Sequence, residues 1–202
     1  LLRRKNISDE ERQECVDAIM ESTNRLSNLI SNMLKLNKLE KQTIVPKAET
    51  YNLCEQLCEC VIQFDDLMEK KKIEFEADIE DQAFIAADQN LMEIVWNNLL
   101  SNAVKFTPID GNIVLRQYTD ANGIKVSVSD TGCGMDKNTQ ERIFEKFYQG
   151  DTSHATEGNG LGLALVRRVL HLMDCQITVQ SELGKGSVFT VYIPLKLLSE
   201  RN

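Results

Sequence analysis

The first forty residues carry a hydrophobic stripe at helical spacing that is too long to be buried against one compact domain. Apolar residues recur at intervals of three, four and seven, at Ile19, Leu26, Leu29, Met33 and Leu36. The run begins at Ser8 with Ser-Asp-Glu-Glu, the sequence of a capping box, and so predicts a helix over 8–40. Such a helix is about 45 Å long at 1.5 Å per residue. It could be an N-terminal core helix, but its length and near-heptad spacing favour a dimerising or hairpin helix.

Beyond Pro46 the chain has the alternating helix and strand patterns of an α/β domain. Pro46 ends the first helix, because the residue before a proline is disfavoured in helical conformation. A short strand is predicted at 49–52, and a helix over 53–68 is predicted from its buried face of Leu53, Leu57, Val61, Phe64 and Met68. Further strands are predicted at 73–79, 84–86, 111–118, 123–129, 176–181 and 187–194, and further helices over 88–104 and 163–173. The chain therefore divides into residues 1–45 and 46–202.

The net charge of −8 constrains the partners of the chain. Nucleic acids and anionic lipids require a positive field, so we expect neither nucleic-acid binding nor membrane contact. No apolar run approaches the roughly 18 residues of a membrane span, and the N-terminus has no signal-peptide core, which indicates a cytoplasmic fragment. The six cysteines are too few for a disulfide scaffold. Cys54, Cys58 and Cys60 fit an apolar helix better than a metal site.

Three polar residues lie on one stripe of the helix that Asp88 can cap. Asn98 and Asn102 are four residues apart, and Lys105 follows three residues later. Amide oxygens and an ammonium group suit a hydrated Mg²⁺ and its bridging phosphates, because Mg²⁺ takes few protein ligands. A solvated helix face would show the same pattern, although asparagine is a poor helix former. The stripe alone leaves both interpretations open.

Two glycine-containing segments could form the rest of a ligand site. Segment 130–135, Asp-Thr-Gly-Cys-Gly-Met, follows a predicted strand. Asp130 could accept a hydrogen bond from an exocyclic amine while the glycines let the backbone approach a flat base. Segment 158–163, Gly-Asn-Gly-Leu-Gly-Leu, opens a predicted helix, and its free N–H groups suit phosphate. Each segment alone is common, since Asp-x-Gly also forms ordinary turns.

Four segments in one order are more specific than any of them alone. They are Asn-Leu-Leu-Ser-Asn-Ala-Val-Lys-Phe-Thr at 98–107, Asp-Thr-Gly-Cys-Gly-Met at 130–135, Ile-Phe-Glu-Lys-Phe at 143–147 and Gly-Asn-Gly-Leu-Gly-Leu at 158–163. Together they resemble the asparagine, first glycine, phenylalanine and second glycine boxes of the ATP-binding domain of bacterial sensor histidine kinases, in the GHKL superfamily. The resemblance covers about residues 47–196. The helix over 8–40 is similar to the second helix of that family's dimerisation and phosphotransfer hairpin.

The resemblance implies a fold and a set of site residues. The fold is a two-layer α/β sandwich, in which a mixed, mostly antiparallel sheet lies under three helices after a long N-terminal helix. Asn98 would hold Mg²⁺, Asn102 and Lys105 would meet the phosphates of ATP, and Asp130 would take the adenine amine, with Asn98 and Lys105 serving catalysis. The other binding residues implied are Gly132, Gly134 and Met135 beside the base, and Phe147, Gly158, Gly160, Leu161 and Gly162 in the lid over the triphosphate. Phe144 would also anchor the lid, although core packing is the simpler interpretation.

Two departures from the family pattern bear on the activity. The family's phosphate-accepting histidine box is absent, and neither His154 nor His171 has an acidic neighbour that could act as a base. We therefore expect the acceptor helix to precede residue 1, and this chain alone not to phosphorylate itself. Ile94 stands four residues before Asn98, where ATPases of the superfamily carry a water-activating Glu. Glu93 is about 100° away around the helix. An apolar side chain cannot be a general base, which favours a kinase over an ATPase.

The resemblance thus implies the catalytic fragment of a two-component sensor histidine kinase. It would bind Mg·ATP and donate the γ-phosphoryl group to a histidine of the phosphotransfer hairpin, for relay to an aspartate of a response-regulator receiver domain. The intact protein would be a membrane-anchored homodimer with this part in the cytoplasm. Two alternatives stay open. One is an ATP-binding regulatory module without phosphotransfer, and the other, disfavoured by Ile94, is an ATPase of the GHKL superfamily.

Overall fold

The computed structural model describes residues 8–41, 45–150 and 159–198. Its first element, α1, runs Asp9–Glu40 as one helix of 32 residues. Ser8 begins this helix with both halves of the capping box: its Oγ accepts from the Glu11 N–H, and the Glu11 carboxylate accepts from the Ser8 N–H. These bonds give partners to N–H groups that the first turn of a helix leaves without one. The helix predicted over 8–40 is confirmed.

The strands form a five-stranded sheet and a two-stranded sheet. The larger sheet contains β2 (Glu74–Ile79), β4 (Asn112–Asp120), β5 (Gly123–Asp130), β6 (Gln176–Glu182) and β7 (Gly186–Pro194), in the order β2-β4-β5-β7-β6. In this sheet β2 pairs parallel with β4, and the other neighbours pair antiparallel. The smaller sheet pairs β1 (Glu49–Asn52) antiparallel with β3 (Phe84–Ala87). The predicted mixed, mostly antiparallel sheet is confirmed.

Three helices pack side by side against the larger sheet. They are α2 (Leu53–Ile62), α4 (Gln89–Phe106) and α6 (Gly162–Leu172), with α4 in the middle. Residues of β5 and β7 alternate between buried and half-buried, as expected when helices cover one face of a sheet. Trp96 of α4 is fully buried and donates from Nε1 to Gln56 Oε1 at 3.1 Å. This bond joins α4 to α2, and the predicted sandwich of a sheet under three helices is confirmed.

The helix predicted over 53–68 is wrong as a single element. The structure has α2 and then α3 (Asp65–Lys71), with a turn at residues 63–64 between them. At this turn the Phe64 N–H donates to Val61 O at 2.9 Å, and Phe64 O then accepts from Met68 N–H to begin α3. The turn keeps Phe64 and Met68 against the core, so the apolar spacing survives although the helix axis is broken. The short helix α5 (Lys137–Arg142) was not predicted, because it buries none of its residues.

Among the residues that the structure describes, α1 joins the core of the domain at its C-terminal end. Leu36 and Leu39 are buried, and α1 packs there against α6. Arg168 of α6 donates from Nε and from a terminal guanidinium nitrogen to Leu39 O, at 3.1 and 2.8 Å. Leu29 is half-buried, and the other large apolar residues along the rest of α1 are exposed, namely Val16, Ile19, Met20, Leu26, Ile30, Met33 and Leu34. Within the described ranges, no helix combines the length and apolarity that a membrane crossing requires.

Candidate functional site

A cavity of about 560 Å³ lies between α4, the segment that follows β5 and the beginning of α6. Eight of the residues expected at the site line this cavity: Asn98, Asn102, Lys105, Asp130, Gly134, Met135, Gly160 and Gly162. They come from three separate stretches of the chain, and the fold brings them together around one cavity. Gly158 and His154 lie outside the described residues.

The polar stripe of α4 forms one wall of the cavity. Asp88 caps this helix by accepting from Leu91 N–H at 3.1 Å, which fixes where the helix begins. Asn98 Nδ2 donates to Ile94 O at 2.7 Å, so the amide is held through its nitrogen. Its oxygen Oδ1 lies close to the start of α6, because a methyl group added to Gly162 would be 2.5 Å from it. The structure thus orients an amide oxygen at the place where α4 and α6 meet. Lys105 Nζ lies 4.3 Å from the centre of the Phe106 ring.

Asp130 provides a buried carboxylate at the C-terminal end of β5. The alternation of β5 turns residue 130 toward the helices, and its side chain is buried. Burial raises the pKa of Asp130, while hydrogen bonds from the backbone of Gly132 and Ser187 act in the opposite direction. The Gly132 N–H donates to Asp130 Oδ1 at 2.9 Å. A carboxylate held in this way can accept a further hydrogen bond from a ligand in the cavity.

The turn after Asp130 requires glycine at two positions. Gly134 has a φ of +65°, and a methyl group there would lie 1.9 Å from Glu182 O. At Gly132 a methyl group would lie 2.7 Å from both Phe106 O and Asp130 Oδ1. Met135 is held by its N–H, which donates to Ser181 Oγ at 2.8 Å. Gly132 does not itself line the cavity, but it lets the turn approach the end of α4.

The segment before α6 approaches the cavity through its glycines. Gly160 has a φ of +64°, and a methyl group there would lie 2.7 Å from the carbonyl carbon of Phe147. Phe147 N–H donates to Gly160 O at 2.9 Å, but the Phe147 side chain is exposed and does not line the cavity. Leu161 is fully buried in the core and does not line the cavity either. Phe144 is partly buried and packs against the core, as its simpler interpretation has it.

Several cavity residues had no signal in the sequence that could identify them. Asn32 reaches the cavity from α1, more than sixty positions before the asparagines of α4. Tyr148 lines the cavity beside α5, where its hydroxyl is 3.4 Å from Thr139 Oγ1. Cys133 also lines it, but this residue lies within the segment 130–135 that the sequence had already indicated. His171, in contrast, is exposed near the end of α6 and does not line the cavity.

Two relatives resemble the chain over nearly its whole length. The Autoinducer 2 sensor kinase/phosphatase LuxQ of Vibrio vulnificus is 32% identical over 96% of the chain, which covers 24% of that protein. The Circadian input-output histidine kinase CikA of Synechococcus elongatus is 32% identical over 95% of the chain, which covers 26% of that protein. The chain therefore spans about a quarter of the length of these relatives.

A solved structure and a family profile also match the chain. The crystal structure of full-length ShkA in complex with AMPPNP matches 98% of the chain with a TM-score of 0.81 and 28% identity, and the chain covers 41% of it. The profile of the histidine kinase-, DNA gyrase B- and HSP90-like ATPases matches residues 87–197, from the last residue of β3 to just beyond the end of β7. Every described residue that lines the cavity, apart from Asn32, lies within this range. The chain belongs to the family of histidine kinase-, DNA gyrase B- and HSP90-like ATPases.

Proposed function

We propose that this chain is the ATP-binding catalytic part of a sensor histidine kinase. The observation that carries the proposal is that one cavity is lined both by a buried carboxylate and by amide and ammonium groups. Asp130 offers a buried hydrogen-bond acceptor, as the exocyclic amine of adenine requires, and Asn98, Asn102 and Lys105 offer the amides and the positive charge that a polyphosphate requires. The names of the relatives LuxQ and CikA, and the AMPPNP bound by ShkA, support the same ligand and activity.

The orientation of Asn98 fits a Mg²⁺ ion. Its Nδ2 donates a hydrogen bond to Ile94 O, so Oδ1 is the atom that could bind a metal. Mg²⁺ prefers such oxygen ligands together with phosphates. When bound, the ion would neutralise charge that develops on the phosphates. Asn102 and Lys105 would orient the phosphates, while Asp130 and the glycine turn would hold the base. Gly160 and Gly162 would let the segment before α6 approach the triphosphate.

The proposed reaction moves the γ-phosphoryl group from ATP to a histidine on a phosphotransfer hairpin. The bond from the γ-phosphorus to the β–γ bridging oxygen breaks, a bond to the imidazole nitrogen forms, the imidazole releases its N–H proton to a base on the hairpin, and ADP leaves. The phosphoryl group then passes to an aspartate of a response regulator. In this proposal residues 1–45 belong to the hairpin and 46–202 to the catalytic domain. The exposed apolar residues of α1 fit a hairpin that pairs with a second copy in a homodimer.

The surroundings of Asn98 favour a kinase over an ATPase of the same family. Ile94 presents its carbonyl to Asn98, and its side chain cannot activate water. Glu93, one position away, accepts from Asn97 Nδ2. Neither Ile94 nor Glu93 belongs to the described residues that line the cavity. We also propose that the chain works in the cytoplasm as part of a membrane-anchored parent protein, where ATP and a response regulator are both available.

Calorimetry on the full chain tests the nucleotide and metal parts of the proposal. We expect AMPPNP to bind in the presence of Mg²⁺ and to bind more weakly with a chelator. Asn98→Ala should remove the metal-dependent part of the affinity. Asn97→Ala is the matched control, because Asn97 is the next residue of α4 and does not line the cavity. Equal affinity with and without the chelator would exclude the role of Asn98 in holding Mg²⁺.

A transfer assay tests the kinase. Incubation with labelled ATP should leave this chain unlabelled, because neither of its two histidines has an orienting acidic neighbour in the sequence. Label should appear on an added polypeptide that carries the phosphotransfer hairpin. Binding of AMPPNP with no label on the hairpin would support the regulatory module instead. Release of inorganic phosphate without the hairpin would support an ATPase.

A further inference from the structure

The ammonium group of Lys71, the last residue of α3, contacts the C-terminal end of α4. Lys71 Nζ donates to the carbonyl oxygens of Val104 at 2.8 Å, Lys105 at 2.9 Å and Thr107 at 2.8 Å. An ammonium group has three N–H donors, and here each has an acceptor. Its positive charge also faces the negative end of the helix dipole. Lys71 therefore holds the end of the helix that carries the polar wall of the cavity.

The end of α4 cannot satisfy these carbonyls by itself. The last bond of its ladder runs from Thr107 N–H to Ala103 O at 2.9 Å. The next residue is Pro108, which has no N–H to give to Val104 O. The final carbonyls of a helix need partners from outside it, and in this structure Lys71 supplies them.

The backbone around Lys71 fixes the direction from which its side chain comes. Lys71 O accepts from Asp110 N–H at 3.0 Å, which ties it to the loop after α4. Lys72 adopts a left-handed conformation with a φ of 52°, and Ile73 N–H returns to Met68 O at 2.9 Å. Met68 and Ile73 are both buried. The side chain of Lys71 is half-buried between these anchors and α4.

The same end of α4 meets the Asp130 turn on another side. Phe106 O, which Lys71 does not contact, is the atom that a methyl group on Gly132 would approach at 2.7 Å. Gly132 N–H is in turn bonded to Asp130 Oδ1. Of the four successive carbonyls of residues 104–107, three accept hydrogen bonds from Lys71, and the fourth, Phe106 O, faces the glycine turn. A shift of the helix end would change the position of Lys105 relative to Asp130.

We propose that Lys71 is a positioning residue for the nucleotide site. It does not line the cavity, and it acts by holding the end of α4 so that Lys105 stands at a fixed place relative to Asp130. Asp130 itself is held by the pairing of β5 with β4 and β7, in which the Lys71 side chain takes no part. This inference rests on the proposed binding of ATP. It requires that loss of Lys71 weakens contacts to phosphate more than contacts to the base.

Calorimetry with two probes, Mg·AMPPNP and adenosine, tests the inference on the full chain. For Lys71→Met we expect the affinity for Mg·AMPPNP to fall about fivefold to tenfold, with the affinity for adenosine changed less than about twofold. Lys71→Arg keeps the charge and the donors and should restore the affinity for Mg·AMPPNP. Lys70→Met is the matched control, because Lys70 is an exposed neighbour that carries the same charge. It should bind both probes like the unsubstituted protein.

The outcomes separate this inference from the proposed function. Unchanged affinity of Lys71→Met for Mg·AMPPNP overturns the inference, even if the variant melts at a lower temperature. Equal losses for Mg·AMPPNP and adenosine, or no restoration by Lys71→Arg, overturn it as well. If circular dichroism shows Lys71→Met to be unfolded, Lys71→Gln takes its place with the same expected ratio of losses. Failure of the unsubstituted protein to bind Mg·AMPPNP overturns the proposed function and this inference together.

Discussion

Asp130 is an ionisable residue that lies between the core and the cavity. Burial in the core disfavours its ionised form, whereas a hydrogen bond to a ligand in the cavity would favour it. Burial raises its pKa, so the folded protein holds a proton on this carboxyl more tightly than the unfolded chain does. The cost of burying the ionised form is therefore present at a pH above the folded pKa and is relieved as the pH falls through it. A residue that costs stability and faces a cavity is typical of a ligand site.

We predict that Asp130→Asn lowers the affinity for adenine nucleotides without lowering the melting temperature at neutral pH. The amide can present its N–H₂ to the exocyclic amine in place of an acceptor, which weakens binding by about tenfold or more. Removal of the buried charge should leave the melting temperature equal or higher, and this gain should shrink as the pH is lowered toward the ordinary aspartate pKa of 3.8. Calorimetry and thermal melts measure the two effects. Unchanged binding of AMPPNP would make Asp130 a turn residue only.

The thiols allow a second prediction at this scale, because two exposed cysteines stand in different places. Cys133 lines the cavity and Cys58 is exposed on α2. Burial raises the pKa of Cys54 to about 11 and those of Cys60 and Cys175 to about 12, so these three should react slowly. We expect Mg·AMPPNP to slow alkylation of Cys133 and not of Cys58, as mass spectrometry of the labelled peptides would measure. Protection of both, or of neither, would contradict the location of the ligand.

At the scale of elements, the site depends on how closely α4 and α6 approach each other. Gly162 is the first residue of α6, and its lack of a side chain lets Asn98 Oδ1 come close. The conformation of Gly162 is not in the left-handed region, so an alanine there would not strain the backbone. The glycine is therefore required by the neighbouring helix and not by its own helix.

We predict that Gly162→Ala weakens binding of Mg·AMPPNP by about tenfold while the melting temperature stays equal or rises. The added methyl group would lie 2.5 Å from Asn98 Oδ1 and would displace that side chain. The double variant with Asn98→Ala provides the control, since the methyl group then has no amide to displace. We expect the double variant to bind like Asn98→Ala alone. Additive losses would mean that Gly162 acts on the ligand by another route.

At the scale of the whole molecule, the contacts that α1 makes with other described parts of the chain lie near its C-terminal end. Leu36 and Leu39 are buried there, the Arg168 guanidinium binds Leu39 O, and Lys146 pairs with Glu40. The exposed apolar residues of α1 begin a few positions earlier. The contact thus links the helix proposed for the hairpin with α6 and with the residues that follow α5.

We predict that Arg168→Met loosens the C-terminal end of α1 without disturbing the cavity. Two charge-assisted hydrogen bonds to Leu39 O are lost, which should cost about 1–3 kcal/mol locally. Hydrogen exchange should become faster at amides of residues 36–41, while the affinity for AMPPNP stays the same. Arg167→Met is the control, because Arg167 is exposed beside it. Equal exchange rates in the two variants would show that apolar packing alone holds α1.

Much of this protein is determined by short stretches of its sequence. The capping box at Ser8, the Asp88 cap of α4 and the alternation of β5 are local, because their partners lie within a few residues. The polar stripe of α4 is local for the same reason, since positions four apart on a helix lie side by side. The family and its fold were implied by the resemblance of four ordered segments, and both were confirmed, while the roles of the site residues stay predictions.

The tertiary structure alone decided the features that depend on partners far away in sequence. The turn at Phe64 follows from packing against the core, because the apolar spacing of residues 53–68 is compatible with one helix or two. The parallel pairing of β2 with β4 and the arrival of Asn32 at the cavity join segments that no local pattern relates. Lys71 is the clearest case. It is one of three consecutive lysines in the sequence, and it becomes the partner of the α4 carbonyls only once the helices are packed. Local sequence sets conformation over a few residues, whereas long-range contacts form only when the whole core is buried.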